Sequence, residues 1–230
     1  MHLFYTPDIN FSNELPEEEA RHCVKVLRMK EGDELMLADG QGFFYQATLL
    51  NAHPKHCCFE IVEKIPTPLP WSHRIHIAMA PTKNMDRIEW FAEKATEIGM
   101  NELSFLNCRF SERKEIKIPR IEKILVSAMK QSQKAVLPEV HEMISFKQFI
   151  RQERSGQKLI AHCYPSEKTL LKEAYVSGND VTILIGPEGD FSEEEVAEAL
   201  QAGFQAISLG DSRLRTETAA LVACLGAHWK

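Results

Sequence analysis

Apolar and polar positions follow two different rhythms along the chain. Over roughly the first 65 residues the apolar runs are short and alternate with polar positions. Glu34–Ala38 and Phe43–Leu50 flank Asp39-Gly40-Gln41-Gly42, which reads as a hairpin turn, and Cys57–Ile65 reads as a further strand. Glu17–Leu27 is a short helix candidate. Pro66, Pro68 and Pro70, in IPTPLPW, then predict a stiff, extended linker. Beyond it, strand-length apolar runs alternate with helical periodicity. Ile75–Ala80 and Leu103–Leu106 are strand candidates. Asp86–Ile98 places Ile88, Phe91, Ala95 and Ile98 on one helix face, with Gly99 as a stop. Pro119 opens a helix continued by Ile121, Ile124, Leu125, Ala128 and Met129. Leu159–His162 is another strand candidate, followed by a helix over Glu167–Tyr175. The pattern predicts a small β domain over residues 1–68 and an α/β domain with a mostly parallel sheet over 69–230.

The segment from Val181 to Ala220 carries the sharpest local signals. Val181–Ile185 and Ala206–Leu209 each run into a glycine, then a loop, then a helix start. Ser192 and Glu195 have capping-box spacing, and Thr216 is a second N-cap candidate. Two strand–loop–helix units are therefore expected side by side, with ligand-binding loops at the strand ends. Gly186 and Gly189 would let a ligand approach the backbone. Glu188, Asp190 and Glu193–Glu195 crowd this stretch, and no Lys or Arg occurs from Val181 to Leu200. That field opposes a phosphate and suits a neutral or cationic ligand. Equally, Glu193–Glu195 would simply complement a helix dipole, and composition leaves both readings open. The final helix, Thr216–His228, is apolar around most of its circumference, so it belongs in a core or against a partner.

Composition changes this picture little. An apolar content of 44% suits a globular chain of 230 residues. No apolar run is long enough to span a bilayer, and MHLFYTPDIN lacks the layout of a signal peptide. Six cysteines without a CxxC argue against a disulfide framework or a zinc site. The expectation is a cytoplasmic protein with no metal and no membrane partner. The net charge of −6 disfavours nucleic acid in bulk. Locally, however, eight basic residues from Arg109 to Lys134 face only Glu112, Glu115 and Glu122. Such a stretch is either a phosphate-binding patch or a solvated helix face.

IGPEGDFSEEE, followed by LGDSRLRTETAA, resembles the signature of the RsmE family of 16S ribosomal RNA methyltransferases. Arg21-His22 with Val26-Leu27-Arg28 and Gly32-Asp33, the run Lys94–Gly99, and Ala128, Gln131, Ser132 and Pro138 extend the resemblance over nearly the whole chain. The resemblance implies a SPOUT-type domain with a trefoil knot, preceded by a PUA-like RNA-binding β-barrel. It implies methylation of N3 of a uridine in 16S rRNA within the small subunit, with S-adenosyl-L-methionine as cofactor. It also implies a homodimer through the C-terminal helix.

Deprotonating N3 leaves negative charge on the uracil carbonyls, and a guanidinium would stabilise it. Arg215 is the candidate for that role, with Glu217 and Glu188 as the other catalytic candidates. Each has a structural alternative: a loop clamp for Arg215, a helix-start charge for Glu217, a loop tie for Glu188. The family position implies a cofactor pocket from His162, Leu184, Ile185, Gly186, Glu188, Gly189, Leu209, Gly210, Leu214, Arg215 and Thr218. It implies RNA contacts from Arg21, Arg28, Lys83, Arg87, Arg109, Arg120 and Lys134. The chain departs from the family at Gln133-Lys134, where Gly-Arg is usual, and at Ser212-Arg213. Another SPOUT methyltransferase, a non-catalytic ribosome-assembly protein and a nucleotide-binding α/β protein are the competing readings. The absence of a P-loop lysine and of GxGxxG speaks against the last.

Overall fold

A computed structural model of the protein describes residues 2–229. The chain forms two compact units, one running up to Pro70 and including Val126–Leu137, the other comprising Trp71–Leu125 and the chain from Pro138 on. Residues 126–137 thus belong to the N-terminal unit although they follow the proline-rich stretch by more than fifty positions.

The first unit is built on a sheet of β1 (Leu3–Tyr5), β2 (Glu34–Ala38), β3 (Phe43–Asn51) and β4 (Cys58–Pro66), in that order. β1 runs parallel to β2, and the other pairs are antiparallel. Asp39 fixes the β2–β3 turn. Its buried carboxylate accepts from Gln41 N–H (2.7 Å), Phe43 N–H (3.2 Å) and the Tyr45 hydroxyl (3.1 Å). Gly40 and Gly42, at φ 78° and 101°, supply the left-handed backbone that an L side chain resists. The inward positions Phe4, Leu35, Leu37, Tyr45, Leu49 and Phe59 fill the core. The expected helix over Glu17–Leu27 divides in two. α1 (Glu17–Arg21) passes into a π-helical turn at His22–Val26, in which Leu27 N–H reaches His22 O at 3.0 Å. Arg28, at φ 56°, ends it.

The second unit holds seven strands, in the order β7-β6-β5-β10-β8-β11-β9. They are β5 (Ile75–Met79), β6 (Glu102–Asn107), β7 (Glu139–Ser145), β8 (Gln157–Ala161), β9 (Thr169–Leu170), β10 (Val181–Ile185) and β11 (Gln205–Ser208), and every adjacent pair is parallel. β5 and β10 lie at the centre and are buried throughout, which is why they read as continuous apolar runs. The helices are α2 (Met85–Ile98), α3 (Ile118–Gln131, whose residues from Val126 on belong to the first unit), α4 (Phe146–Ile150), α5 (Leu171–Ala174), α6 (Glu193–Gln201) and α7 (Thr216–Gly226). α4 and α6 contribute Phe146, Phe149, Val196 and Ala199 to one core layer over Ala78, Ile160 and Leu184. α7 packs on α2, β5 and β10.

Several expectations are corrected. β10 and β11 are not sheet neighbours, because β8 is inserted between them. The helix expected over Glu167–Tyr175 is instead the edge strand β9 with one helical turn, since Thr169 and Leu170 pair with Ile207 and Ser208. Thr216 is the first helical residue and Arg215 the N-cap, with no side-chain cap bond. β1, β7 and α4 had not been expected.

Candidate functional site

Because β8, β10 and β11 are parallel and in near register, their C-terminal ends meet at one edge. Ile185 lies opposite Ala161, and Ala161 opposite Ile207. A cavity of about 710 Å³ opens there, lined by the loops after these strands and by the start of α7. Its wall contains His162, Ile185, Gly186, Glu188, Leu209, Gly210, Leu214, Arg215 and Glu217, nine of the residues singled out from the sequence.

The loop after β10 is fixed from within. Asp190 N–H bonds Pro187 O at 2.9 Å, and Asp190 takes a left-handed φ of 67°. Its carboxylate accepts from Cys163 N–H at 2.7 Å, which joins the β8 and β10 loops. Phe191 then plugs into the core, and Ser192 and Glu195 form the expected capping box. Glu188 accepts from Lys83 N–H at 2.9 Å, tying this loop to the one after β5, and its side chain remains exposed. A side chain on Gly189 would meet Phe110 at 3.2 Å, and Gly189 is not part of the cavity wall. Gly210 is in the wall at φ 122°, with open space where a Cβ would stand.

Charge in the cavity is balanced. Glu188, Asp190, Asp211 and Glu217 face Arg87, Lys168, Arg213 and Arg215. The acidic run does not line it. Glu195 caps α6 and accepts from Arg109 N–H, and Glu194 pairs with the Arg109 guanidinium at 3.1 Å. Arg215 is exposed, and no carboxylate lies within ion-pair distance of it among the described residues. Glu217 is 6% exposed and faces Arg87 at 3.6 Å, while its Oε2 is buried without a partner. His162 is also buried, and its Nδ1 lacks a partner. Burial lowers the His162 pKa, and Lys168 adds to this against a smaller opposing effect of Asp190, so the ring is neutral near pH 7.

The remaining candidates fall elsewhere. Leu184 is fully buried in the core beneath the site, and Thr218 lies one residue before the wall residue Ala219. Arg87, one of the candidate RNA contacts, lines the cavity. Lys83 pairs with Glu112 at 2.9 Å, Arg120 with Glu89 at 2.5 Å, and Arg109 with Glu194. In the first unit Arg21 pairs with Glu17, Arg28 is exposed, and Lys134 follows α3. Sequence reasoning missed Lys168, which donates to His162 O and Tyr164 O at 2.8 Å each. No motif flags it. Only the unexpected β9 brings it to the cavity.

A family model described as an RNA methyltransferase domain matches residues 69–227, and one described as an RNA methyltransferase PUA domain matches 15–62. A curated relative from Mesomycoplasma hyopneumoniae, named ribosomal RNA small subunit methyltransferase E, is 30% identical over 86% of this chain and 86% of its own. The crystal structure of a probable rRNA-methyltransferase from Porphyromonas gingivalis is 47% identical, with a TM-score of 0.92, covering 97% of this chain and 95% of that one. A ribosomal RNA small subunit methyltransferase E from Neisseria gonorrhoeae bound to S-adenosyl methionine is 28% identical, with a TM-score of 0.85 and coverage of 97% and 95%. With one family model along most of its length and relatives of that name along nearly all of it, the chain belongs to the RsmE family of RNA methyltransferases.

Proposed function

We propose that the chain transfers the methyl group of S-adenosylmethionine to N3 of a uridine in 16S rRNA of the small ribosomal subunit. The observation that carries this reading is the convergence of three parallel strand ends on one cavity, with the Arg215 guanidinium at its wall and, among the described residues, no carboxylate within ion-pair distance of it. The cavity suits an adenosine-bearing ligand. It is of small-molecule size, and two of its residues, His162 and Glu217, hold buried polar atoms with no partner. Bound there, S-adenosylmethionine supplies an electrophilic methyl group on a sulfonium.

The protein's own part is placement and charge. The backbones of Ile185, Gly186, Leu209, Gly210 and Leu214 cradle the cofactor, with His162 behind it, while Leu184, Gly189 and Thr218 support the loops. Arg215 stabilises the charge that grows on the uracil carbonyls as N3 loses its proton. Glu217, buried at the cavity wall with its Oε2 uncommitted, is the proton acceptor. Arg21, Arg28 and Lys134 on one unit, and Lys83, Arg87, Arg109 and Arg120 on the other, meet phosphates. Where a glutamate now holds a cation, RNA exchanges one anion for another, and binding is salt-sensitive.

The same reading carries finer structural proposals. The first unit is a PUA-like barrel, supported by the bridge of Glu14 to Cys58 on the free edge of β4. The second is a trefoil knot, supported by the return of α7 from β11 to β5 and β10. The passage from the first domain to the second lies in the proline-rich stretch near residue 68, with Val126–Leu137 returning to the first. The protein is a cytoplasmic homodimer joined through α7. On α7, Thr218, Leu221, Val222 and Leu225 recur at i, i+3, i+4 and i+7 and stay partly or fully exposed, whereas Ala220, Ala223 and Cys224 face inward. Calorimetry tests the cofactor assignment. S-adenosylmethionine should bind where ATP and NAD do not, and Gly210→Val should abolish it by placing a strained side chain in the cavity. Binding of ATP in preference would reject the reading.

A further inference from the structure

At the N-terminal ends of β5, β6 and β7, the sheet edge opposite the cavity, a second polar cluster lies outside the machinery described above. Glu102 Oε2 is 3.4 Å from His76 Nδ1 and 3.4 Å from His141 Nε2, and one donor atom from each of the three residues falls within 4.8 Å of the others. Tetrahedral zinc with bonds of about 2.0–2.1 Å separates its donors by roughly 3.3–3.4 Å. The surrounding bonds already orient the ligands. Ser104 Oγ lies 2.8 Å from His76 Nε2. Arg74 holds the other Glu102 oxygen, Oε1, through Nε at 2.9 Å and Nη2 at 2.6 Å. Metal-binding imidazoles and carboxylates are usually fixed in this way through their second polar atom.

The tautomer of His76 is also set. Arg154 Nη1 lies 3.1 Å from Nδ1, and a guanidinium can only donate. Nδ1 therefore presents a lone pair to the cluster, and the proton sits on Nε2. Burial keeps this ring neutral. Arg154 stacks on Phe149 at 3.7 Å and donates from Nη2 to Gln152 Oε1 at 2.5 Å. Its Nε is buried without a partner, however, and among the described residues no carboxylate lies within ion-pair distance of it.

We propose that His76, Glu102 and His141 form a site for a divalent first-row transition metal, Zn(II) in particular, with Arg154 as a displaceable plug on the His76 lone pair. Entry of the metal sends Arg154 to solvent, leaves one coordination position for water, and ties three strands together at their N-terminal ends. Two imidazoles and one carboxylate favour zinc over the oxygen-seeking Mg(II) or Ca(II).

Zinc chloride titrated calorimetrically into the full-length, chelator-treated protein should bind at one equivalent per chain. His141→Ala, a surface change on an edge strand, should weaken it at least about tenfold, and Ser104→Ala should weaken it about tenfold through the lost orientation of His76. Arg154→Ala should tighten it. Co(II) should give the visible absorption of a tetrahedral site, and His141→Ala should remove it. The proposal fails if no stoichiometric zinc binds, if His141→Ala leaves the affinity unchanged, or if binding vanishes instead in Cys58→Ser or Cys163→Ser. An Arg154→Ala variant that binds more weakly would overturn the plug.

Discussion

Arg215 and Glu217 are two residues apart at the start of one helix, yet among the described residues one is exposed without an acidic partner and the other is buried against Arg87. That contrast decides what their substitution should do. Arg215→Ala removes a charge that matters most as N3 loses its proton. Turnover should therefore fall about a hundredfold or more, with affinity for small-subunit particles largely kept. Filter binding and single-turnover transfer separate the two, and an equal loss of binding would make Arg215 an RNA contact instead. His76 gives a pH prediction. Burial lowers its pKa to about 3, Arg154 and His141 push the same way, and the nearby Glu102 opposes them. An unfolded histidine titrates near 6.5, so between that value and about 3 only the unfolded state takes up this proton. Stability from this group is complete above 6.5 and is lost as pH falls through that window. With chelator present, the melting temperature should drop less steeply from about pH 7 to about pH 4 in His76→Asn than in the unaltered protein; equal slopes would contradict the assignment. The wall residues of the loops after β10 and β11 were legible because they lie in contiguous motifs. His76, Glu102 and His141 were not, because only the sheet brings them together.

Elements were legible in proportion to how strongly their surroundings impose one pattern. The central strands β5 and β10 are buried on both faces and left continuous apolar runs. β7 is an edge strand whose residues are mostly half-buried or exposed, and its sequence EVHEMIS shows no clean alternation. α4 is five residues long, too short for a helical period, although Ser145 and Gln148 form a capping box that its sequence does contain. The final helix illustrates the limit from the other side. Its all-round apolar surface left core and partner undecided, and the structure divides it into a buried face and an open stripe. Ala223 is wholly buried, so a charge there would damage the fold and say nothing about assembly. Leu225, 43% exposed, is the informative position. Leu225→Glu should shift a dimer to monomer in sedimentation without lowering the melting temperature of the monomer. A protein that is already monomeric at micromolar concentration would remove α7 as an interface.

For the molecule as a whole, sequence order misled in one respect that matters for function. Two strand–loop–helix units adjacent in the chain become β10 and β11 with β8 between them, which sets His162 and Lys168 into the cavity. Insertion of a strand between sequence neighbours is a property of topology, and local pattern does not encode it. The central claim is that this cavity directs a methyl group to one atom of one nucleoside. The direct test supplies tritium-labelled S-adenosylmethionine and small-subunit particles lacking the modification, then digests the RNA and identifies the labelled nucleoside. Label should appear in 3-methyluridine, and about a hundredfold or more slowly with Arg215→Ala. Label in a 2′-O-methyl or C5-methyl nucleoside, or no transfer to any particle by a protein that binds the cofactor, would contradict it.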